Sequence, residues 1–500
     1  MEETDAPIGL TNRWTRRAIL AFVILLFAIT NLPWTLDDYD QAKQAYTSFE
    51  MVGQGHWLYQ HTPNEGIATK PPLVGWISAG LFEVTRSWEA AWRVPSFAAA
   101  IVLLWLIGWA ARAAYGSTAG LLAMSAFGLN LLSPRLAALV RTDMPLALVT
   151  FLVGLQIWHK IRRGQEWNSR DRMAAFALLA FAMWIKGPII YAFILPGLVA
   201  YRFLRPMRDV APGMVRNGAA DAGETPALQR RSDAWSGWWP WILSFAIFLA
   251  WVMGGIVRQP GFYESVVLKE FAGRFIETVH KPQPIYFYLP HLLHKFAPWS
   301  LLIIGLAIVF WRERGTRQLQ ATTLWLVCWS VGGLLLMSVI PSKRVDRIFP
   351  IVPPLCLLLG AQVACVRRGS RREAFLPWLQ GALLFAFVFT GGYAAWKIGS
   401  SARANADALV RFSREVRDVA KKNHWRYGVL GGREEGMLLY LRRDHFLTPD
   451  DAVRQWHGGA LDALVVPNPS ALPSLAGAKP FFVSEKSSAV PQYSLIVREP

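Results

Sequence analysis

Apolar residues along this chain come in blocks rather than stripes. Runs such as "AILAFVILLFAITNLPW" (18–34), "FAIFLAWVMGGIV" (245–257) and "ALLFAFVFTGGYAAW" (382–396) are apolar on every face of the helix they predict. A helix without a polar face belongs in lipid or inside a bundle. Between the blocks lie loops rich in Arg and Lys, at "HKIRRGQEWNSRDR" (159–172), 202–231, "RERGTR" (312–317) and "RRGSRR" (367–372). The positive-inside rule places those loops, and the N-terminus, on the cytoplasmic side. A consistent threading then has eleven crossings near 17–33, 91–112, 117–134, 143–159, 173–185, 188–204, 238–257, 297–311, 321–340, 348–366 and 375–396. The predicted class is a polytopic α-helical membrane protein. The first block follows Arg13, Arg16 and Arg17 without a small-x-small cleavage pattern, which reads as a retained signal-anchor.

Segment 71–86, "PPLVGWISAGLFEVTR", is the exception this threading requires. A crossing needs roughly 20 apolar residues; this run is shorter and opens with two prolines, so a re-entrant or surface-lying helix on the outer side is expected. The chain divides into a cytoplasmic N-terminus (1–16), a transmembrane domain (17–396) with outer loops at 34–90 and 258–296, and a tail from 400 to 500. In the tail, "ANADALVRFSREVRDVAKKN" has amphipathic helical spacing, and "RYGVL", "ALVVP" and "KPFFVS" read as short buried strands. A small extracytoplasmic α/β domain is therefore expected there. The Gly/Ala/Pro-rich stretch 211–233 reads as a cytoplasmic linker.

Composition sharpens one point. A net charge of +18 over 500 residues suggests a polyanionic partner, but the basic residues sit in the loops that set topology. Membrane lipid, not nucleic acid, is the expected polyanion. Cys328, Cys356 and Cys365 lie in or at the ends of apolar blocks, with neither a disulfide framework nor metal-ligand spacing. The 24 Trp suit the membrane interfaces.

The threading also gathers chemistry on one side. Asp37, Asp38, Asp40, Lys43, Lys70, Arg141, Asp143, Lys186, Arg258, Arg274, His280, Lys343, Arg344, Asp346 and Arg347 all fall at outer ends of crossings or in outer loops. Cations beside carboxylates at a lipid surface suit one task well. They hold a phosphate there while a carboxylate handles a proton.

The residues in these segments resemble the GT-C membrane glycosyltransferases, in the branch of the protein O-mannosyltransferases and the lipid A aminoarabinose (ArnT-like) transferases. The matching runs are "DQAKQAYTSFEM" (40–51), "GQGHWLYQHTPNEGIATKPPL" (53–73), "RTDMPLAL" (141–148), "IKGP" (185–188), "GRFIETVHKPQPIYFYLPHLLHKFAPW" (273–299) and "PSKRVDRIFPIVPPL" (341–355), in the family's order. The resemblance implies a GT-C fold with about 11–13 transmembrane helices in a bacterial inner membrane, its active site facing outward. It implies inverting transfer of a sugar from a polyprenyl-phosphate donor to a lipid (lipid A-like) or protein hydroxyl. Asp40 matches the first-loop catalytic aspartate and Asp143 the second acidic position, and the two are the catalytic candidates. Lys43 and Lys70 match cations near the donor phosphate, and Arg274, Lys343, Arg344 and Arg347 are further candidates. A carboxylate can take the acceptor's proton while cations stabilise the departing phosphate, so no nucleotide-binding fold is called for.

The chain departs from the family pattern at three places. Gln41 stands where Glu is usual, Thr69 where an acidic residue usually precedes the lysine, and Arg347 where a tyrosine is usual. Loss of the acid at 69 puts a metal there in doubt. No metal ligands are assigned, a divalent metal is left open, and His291 with His294 (i, i+3) lacks an evident third ligand. Plainer readings stand beside several of these residues. Asp37 and Asp38 read as solvated loop acids, Asp143 suits a helix start ahead of Pro145, and Lys343, Arg344 and Arg347 also suit anchoring to anionic lipid. Two other functions fit phosphate-holding cations: a transporter or flippase of polyprenyl-linked sugars, and a non-catalytic binding protein. A transporter places charges near mid-membrane; here they gather at one face.

Overall fold

The computed structural model describes residues 13–498 except 37, 205–233, 276–281, 313–319, 368–371, 432–434, 468–474, 476 and 488–490. The linker at 211–233, Asp37 and His280 lie outside the described residues.

The chain is mainly helical. Helix α1 (Arg13–Ile29) leads into α2 (Tyr39–Gln54), the two-stranded ribbon β1 (His61–Thr62) and β2 (Gly66–Ile67), and α3 (Leu73–Thr85). Then follow α4 (Trp88–Tyr115), α5 (Ser117–Gly128), α6 (Ser133–Ala137), α7 (Asp143–Arg163), α8 (Ser169–Lys186), α9 (Ile189–Leu204) and α10 (Trp239–Arg258). A π-helical turn (Tyr263–Phe271) precedes α11 (Tyr288–Lys295), α12 (Trp299–Arg312) and α13 (Ala321–Val339); a 3-10 segment (Val345–Ile351) feeds α14 (Val352–Arg367), and α15 (Arg372–Arg403) completes the bundle. Six stretches among the described residues are helical, long and apolar enough to cross a membrane: α4, α7, α10, α13, Val345–Cys365 and Pro377–Arg403. The protein is a multi-pass membrane protein. Large side chains such as Leu243 and Leu249 on α10, and Leu384 and Val388 on α15, face outward, as lipid-facing positions do.

The expected crossing at 117–134 is not one helix. Asn130 breaks it: its Nδ2 donates to the carbonyls of Ala126 and Phe127, both at 2.8 Å, and its Oδ1 accepts from the N–H groups of Leu132 and Ser133, both at 2.8 Å. An Asn side chain that mimics the backbone in this way ends a helix and starts a turn. Segment 71–86 forms α3, 13 residues long and thus about 20 Å, shorter than the hydrocarbon thickness.

Inside the bundle α9 and α13 meet backbone to backbone. A Cβ on Gly332 would lie 2.6 Å from the nitrogen of Gly197, and one on Gly197 would lie 2.7 Å from the Cα of Trp329. Small residues at such crossings allow van der Waals packing in a setting where the hydrophobic effect does not drive helices together. Backbone cannot yield as a side chain can, so Gly332→Leu is expected to destabilise by about 1–3 kcal/mol. Thermal unfolding in detergent checks this against Gly381→Leu, a site with nothing within 4 Å of the new Cβ.

After α15 come α16 (Ala408–Lys422), β3 (Tyr427–Val429), α17 (Glu435–Leu441), α18 (Pro449–His457), β4 (Ala463–Pro467), β5 (Ala478–Val483) and β6 (Tyr493–Arg498). The sheet order is β3-β4-β6-β5, with β3 parallel to β4 and the other pairs antiparallel. Helix α16 buries Leu409, Phe412, Val416 and Ala420 along one stripe. Strand β5, expected to be buried, is an edge strand with Phe481 and Val483 exposed. Strand β6 was not foreseen, and it supplies the centre of the sheet.

This C-terminal unit is seated on α2. Met437, Leu438 and Leu441 of α17 share a buried cluster with Leu36, Ala42, Ala45 and Tyr46. The Tyr46 hydroxyl donates to the Asp444 carbonyl, and the N–H of Leu36 donates to the Tyr440 hydroxyl. Helix α2 is thereby clamped from outside as well as from the bundle.

Candidate active site

Asp40 sits in the first turn of α2. Asp38 is the N-cap of that helix, its Oδ1 accepting from the Asp40 N–H at 3.1 Å. Carboxylates at a helix N-terminus are favoured by the free N–H groups and the dipole, so the sequence "DDYDQA" starts a helix and aims Asp40 in one step. Gln41, the first departure from the family pattern, has a job in this fold. Its buried Oε1 accepts from the N–H of Val140 at 3.1 Å, which ties α2 to the loop ahead of α7 without burying another charge.

That loop carries Arg141, the hub of the site. Its guanidinium pairs with Asp38, lies 2.5 Å from Asp346 Oδ2 and approaches Asp40 at 3.7 Å. Arg135 adds a second contact to Asp346 at 3.4 Å, and Ser96 Oγ donates to the Arg141 carbonyl at 3.1 Å. Asp38 is therefore a cap and an ion-pair partner rather than a merely solvated loop acid. Arg141 is buried at 5% exposure, and removing one partner of a buried network strands the others. Arg141→Ala is expected to lower stability by about 3–5 kcal/mol. The check is a drop in melting temperature well beyond that of Arg86→Ala, which removes an exposed i,i+3 pair with Glu83 and a contact over the Phe82 ring at 6.0 Å.

Arg344 approaches Asp40 from the segment between α13 and α14 and pairs with its carboxylate. Burial pushes the Asp40 carboxyl up, but the hydrogen bond from Arg344 and the charges of Lys70, Arg344 and Arg141 outweigh it and hold it down, from 3.8 to about 2. Lys70 follows β2 just ahead of the prolines that open α3. Burial, with the like charge of Lys186, lowers it from 10.5 to about 7, against the pull of Asp40 and Asp143. Asp143 lies in the first turn of α7 at 7% exposure, its Oδ1 2.5 Å from Nζ of Lys186 at the end of α8.

The fold thus brings Asp40, Lys43, Lys70, Asp143, Arg344 and Arg347 within electrostatic reach of one another. Lys43 lies over the Tyr39 ring at 5.7 Å. Arg347 is held through Nη1 by the carbonyl and hydroxyl of Ser342, at 2.8 and 3.2 Å. Lys343 is placed differently: it is buried, and its Nζ donates to the Gln283 carbonyl at 2.9 Å. Arg274 ends the 3-10 turn Ala272–Arg274, and its side chain lies outside the described residues. Arg141, Lys186 and Asp346 complete the constellation without having been singled out as site residues. The sequence signals for them were their place within matching motifs and at the outer ends of crossings. Counting these groups, cations outnumber the carboxylates Asp38, Asp40, Asp143 and Asp346, so the site as a whole favours an anion.

The fold around this site is that of the GT-C membrane glycosyltransferases. ArnT from Cupriavidus metallidurans, solved bound to undecaprenyl phosphate, superposes with a TM-score of 0.67 over 96% of this chain and 97% of that one, at 17% identity. The oligosaccharyltransferase AglB from Archaeoglobus fulgidus, in complex with an inhibitory peptide and a dolichol-phosphate, gives 0.51 over 92% of this chain and 70% of that one, at 12% identity. Within that class, a family model described as dolichyl-phosphate-mannose-protein mannosyltransferase matches residues 69–211. The undecaprenyl phosphate-alpha-4-amino-4-deoxy-L-arabinose arabinosyl transferase of Aeromonas salmonicida is 26% identical over 389 residues, 75% of this chain and 64% of the relative. Its Pseudomonas fluorescens counterpart is 23% identical over 360 residues, 70% and 58%. The chain resembles the ArnT-like transferases, and its matches span less than two thirds of the length of these curated relatives.

Proposed function

We propose that the protein is an inverting glycosyltransferase that moves a sugar from a polyprenyl-phosphate donor to a hydroxyl on a lipid or protein acceptor, at the extracytoplasmic face of a bacterial inner membrane. The observation that carries this reading is the contact of the Asp40 carboxylate with Arg344, beside Lys70, in a cation-rich site at the ends of the helices.

A donor phosphate takes its place among Lys70, Arg344 and Lys43. Its negative charge draws Arg344 and Lys70 away from Asp40, and the carboxylate's affinity for a proton rises from the depressed value towards the ordinary range. Asp40 then accepts the acceptor hydroxyl's proton as oxygen attacks the anomeric carbon from the side opposite the phosphate. The carbon–oxygen bond to phosphate breaks, and the cations stabilise the charge left on the departing group. Asp143 acts as a positioning residue, fixing Lys186 and supporting the charge of Lys70. Such a single displacement inverts the anomeric centre.

For the acceptor, a cavity beside Asp38 and Gln41 has Arg93, Arg135 and Lys397 on its walls next to Leu32, Pro33 and Trp34. That mixture suits an acidic glycolipid headgroup better than a peptide. The test is a transfer assay in detergent with radiolabelled polyprenyl-phosphate sugars and an envelope extract containing both lipid and protein. Label moving into lipid supports the reading in full, and label moving into protein redirects the acceptor. Tight binding of polyprenyl phosphate with no transfer from any donor overturns it in favour of a carrier or binding protein.

A further inference from the structure

A second cluster lies at the other end of α2. We propose that Glu50, His56 and His61 bind a divalent transition-metal ion of the zinc class, and that this ion staples the segment following α2 back onto that helix. Glu50 lies one turn from the end of α2 and is buried at 1% exposure. Gly55, at φ +81°, turns the chain so that His56 falls back beside it. His61 then arrives on β1. Nδ1 of His56 contacts Glu50 Oε1, Nδ1 of His61 lies 3.3 Å from the same oxygen, and the two Nδ1 atoms are 3.0 Å apart. Among the described residues this is the one group of three or more His, Cys, Asp and Glu side chains whose ligand atoms converge in this way.

With both histidines neutral and Gln259 accepting through Oε1, hydrogen bonding leaves this arrangement unsatisfied. Nε2 of His61 lies 3.3 Å from Gln259 Oε1; donating there leaves Nδ1 as a lone pair facing the carboxylate and the other Nδ1. A single proton on His56 cannot serve both neighbours. Glu50 Oε2, meanwhile, is buried with no hydrogen-bond partner. A cation resolves the facing lone pairs, because lone pairs that repel one another are what a metal collects. Ligands about 2.0–2.1 Å from a tetrahedral ion sit about 3.3–3.4 Å from one another. The His61–Glu50 separation of 3.3 Å matches this, the His–His separation of 3.0 Å is shorter, and the tighter His56–Glu50 contact must open to admit the ion. The contact from Nε2 to Gln259 is the outer-shell bond that ligating histidines usually make. Two imidazole nitrogens and one carboxylate favour zinc-like ions over magnesium or calcium.

The role follows from position. Glu50 is ten residues along α2 from Asp40, about 15 Å, so the ion is remote from the reacting atoms. It joins α2 to the ribbon that leads to Lys70 and, through Gln259, to the end of α10. The inference does not depend on the transfer reading. Its test uses full-length protein purified without a polyhistidine tag. Wild type is expected to retain one equivalent of zinc through dialysis, and His56→Ala/His61→Ala less than a tenth of that. Metal-stripped wild type is expected to show visible cobalt bands that zinc bleaches, and to gain several degrees in melting temperature when zinc is added. His56→Asn, which keeps a polar amide near the position of Nδ1, should bind zinc at least 100-fold more weakly while remaining folded. Equal zinc in wild type and variants, or stripped wild type with neither cobalt bands nor a melting shift, overturns the proposal.

Discussion

Asp40→Asn is expected to lower sugar transfer by about 10²–10⁴-fold, the range a positioned general base contributes, while leaving donor binding intact or tighter. The substitution keeps shape and removes charge. Asp40 engages Arg344 directly and Arg141 at 3.7 Å, so loss of its charge releases Arg344 towards a donor phosphate. A residue that served only to hold the site together would give the opposite pattern, with donor binding and melting temperature falling alongside activity. The measurement is paired: turnover from labelled donor, and equilibrium binding of the same donor, in both proteins. Transfer within threefold of wild type, or donor binding lost in step with transfer, would remove Asp40 from its proposed role.

Much of this site was legible in the sequence because its parts lie on short, ordered runs. Asp40 stands out in its motif although its neighbours read as solvated loop acids, Asp143 ahead of Pro145 suits a helix start, and the Lys-Pro-Pro run places a cation beside another. The pairing of these parts was not legible. Arg141 and Asp346 are 205 residues apart in the chain, and nothing local says that one neutralises the other. Lys343 and Arg344 are adjacent in sequence, yet one turns to a loop carbonyl and the other to Asp40; backbone direction alone separates them. The metal-binding cluster escaped for a similar reason. Spacings of six and five residues across a helix end follow no simple ligand pattern, and only the left-handed turn at Gly55 makes the ligands converge.

The fold shows the same division. Apolar blocks told where helices lie because lipid imposes one rule on every crossing. They did not tell where Asn130 interrupts a block, since one side chain recapturing backbone groups leaves the hydropathy almost unchanged. The contact of the C-terminal unit with α2 was also out of reach. Tyr46 and Asp444 meet across 398 residues, and an amphipathic tail has many surfaces on which it could settle. The clamp has a consequence for the chemistry: α2 is held at both ends and on two sides, so Asp40 has little freedom to drift from its partners.

Lys70 gives the second large effect, and here the sign can be worked out. Its ammonium is the form that binds phosphate, and with its pKa lowered to about 7 it is mostly charged at pH 6 and mostly neutral at pH 8. A sugar linked through a phosphodiester does not titrate over that range, so the pH dependence reports the protein. Donor affinity should therefore be highest below pH 7 and weaken as pH rises through it, by up to tenfold per unit. The weakening levels off only where the phosphate-bound lysine, its pKa raised by the new anion, loses its proton as well. Lys70→Arg stays charged throughout and should flatten the profile, although the broader guanidinium will not reproduce the lysine's point contact. Lys70→Met should lower kcat/KM by about 10²–10³-fold, the scale of losing one charged donor to a developing anion in a dry site. Equilibrium donor binding from pH 5.5 to 9 in the three proteins decides the matter. A flat wild-type profile, or the same slope in Lys70→Arg, would mean that another group governs phosphate binding. The nearest candidate is Lys186, which would have to leave Asp143 to reach the donor.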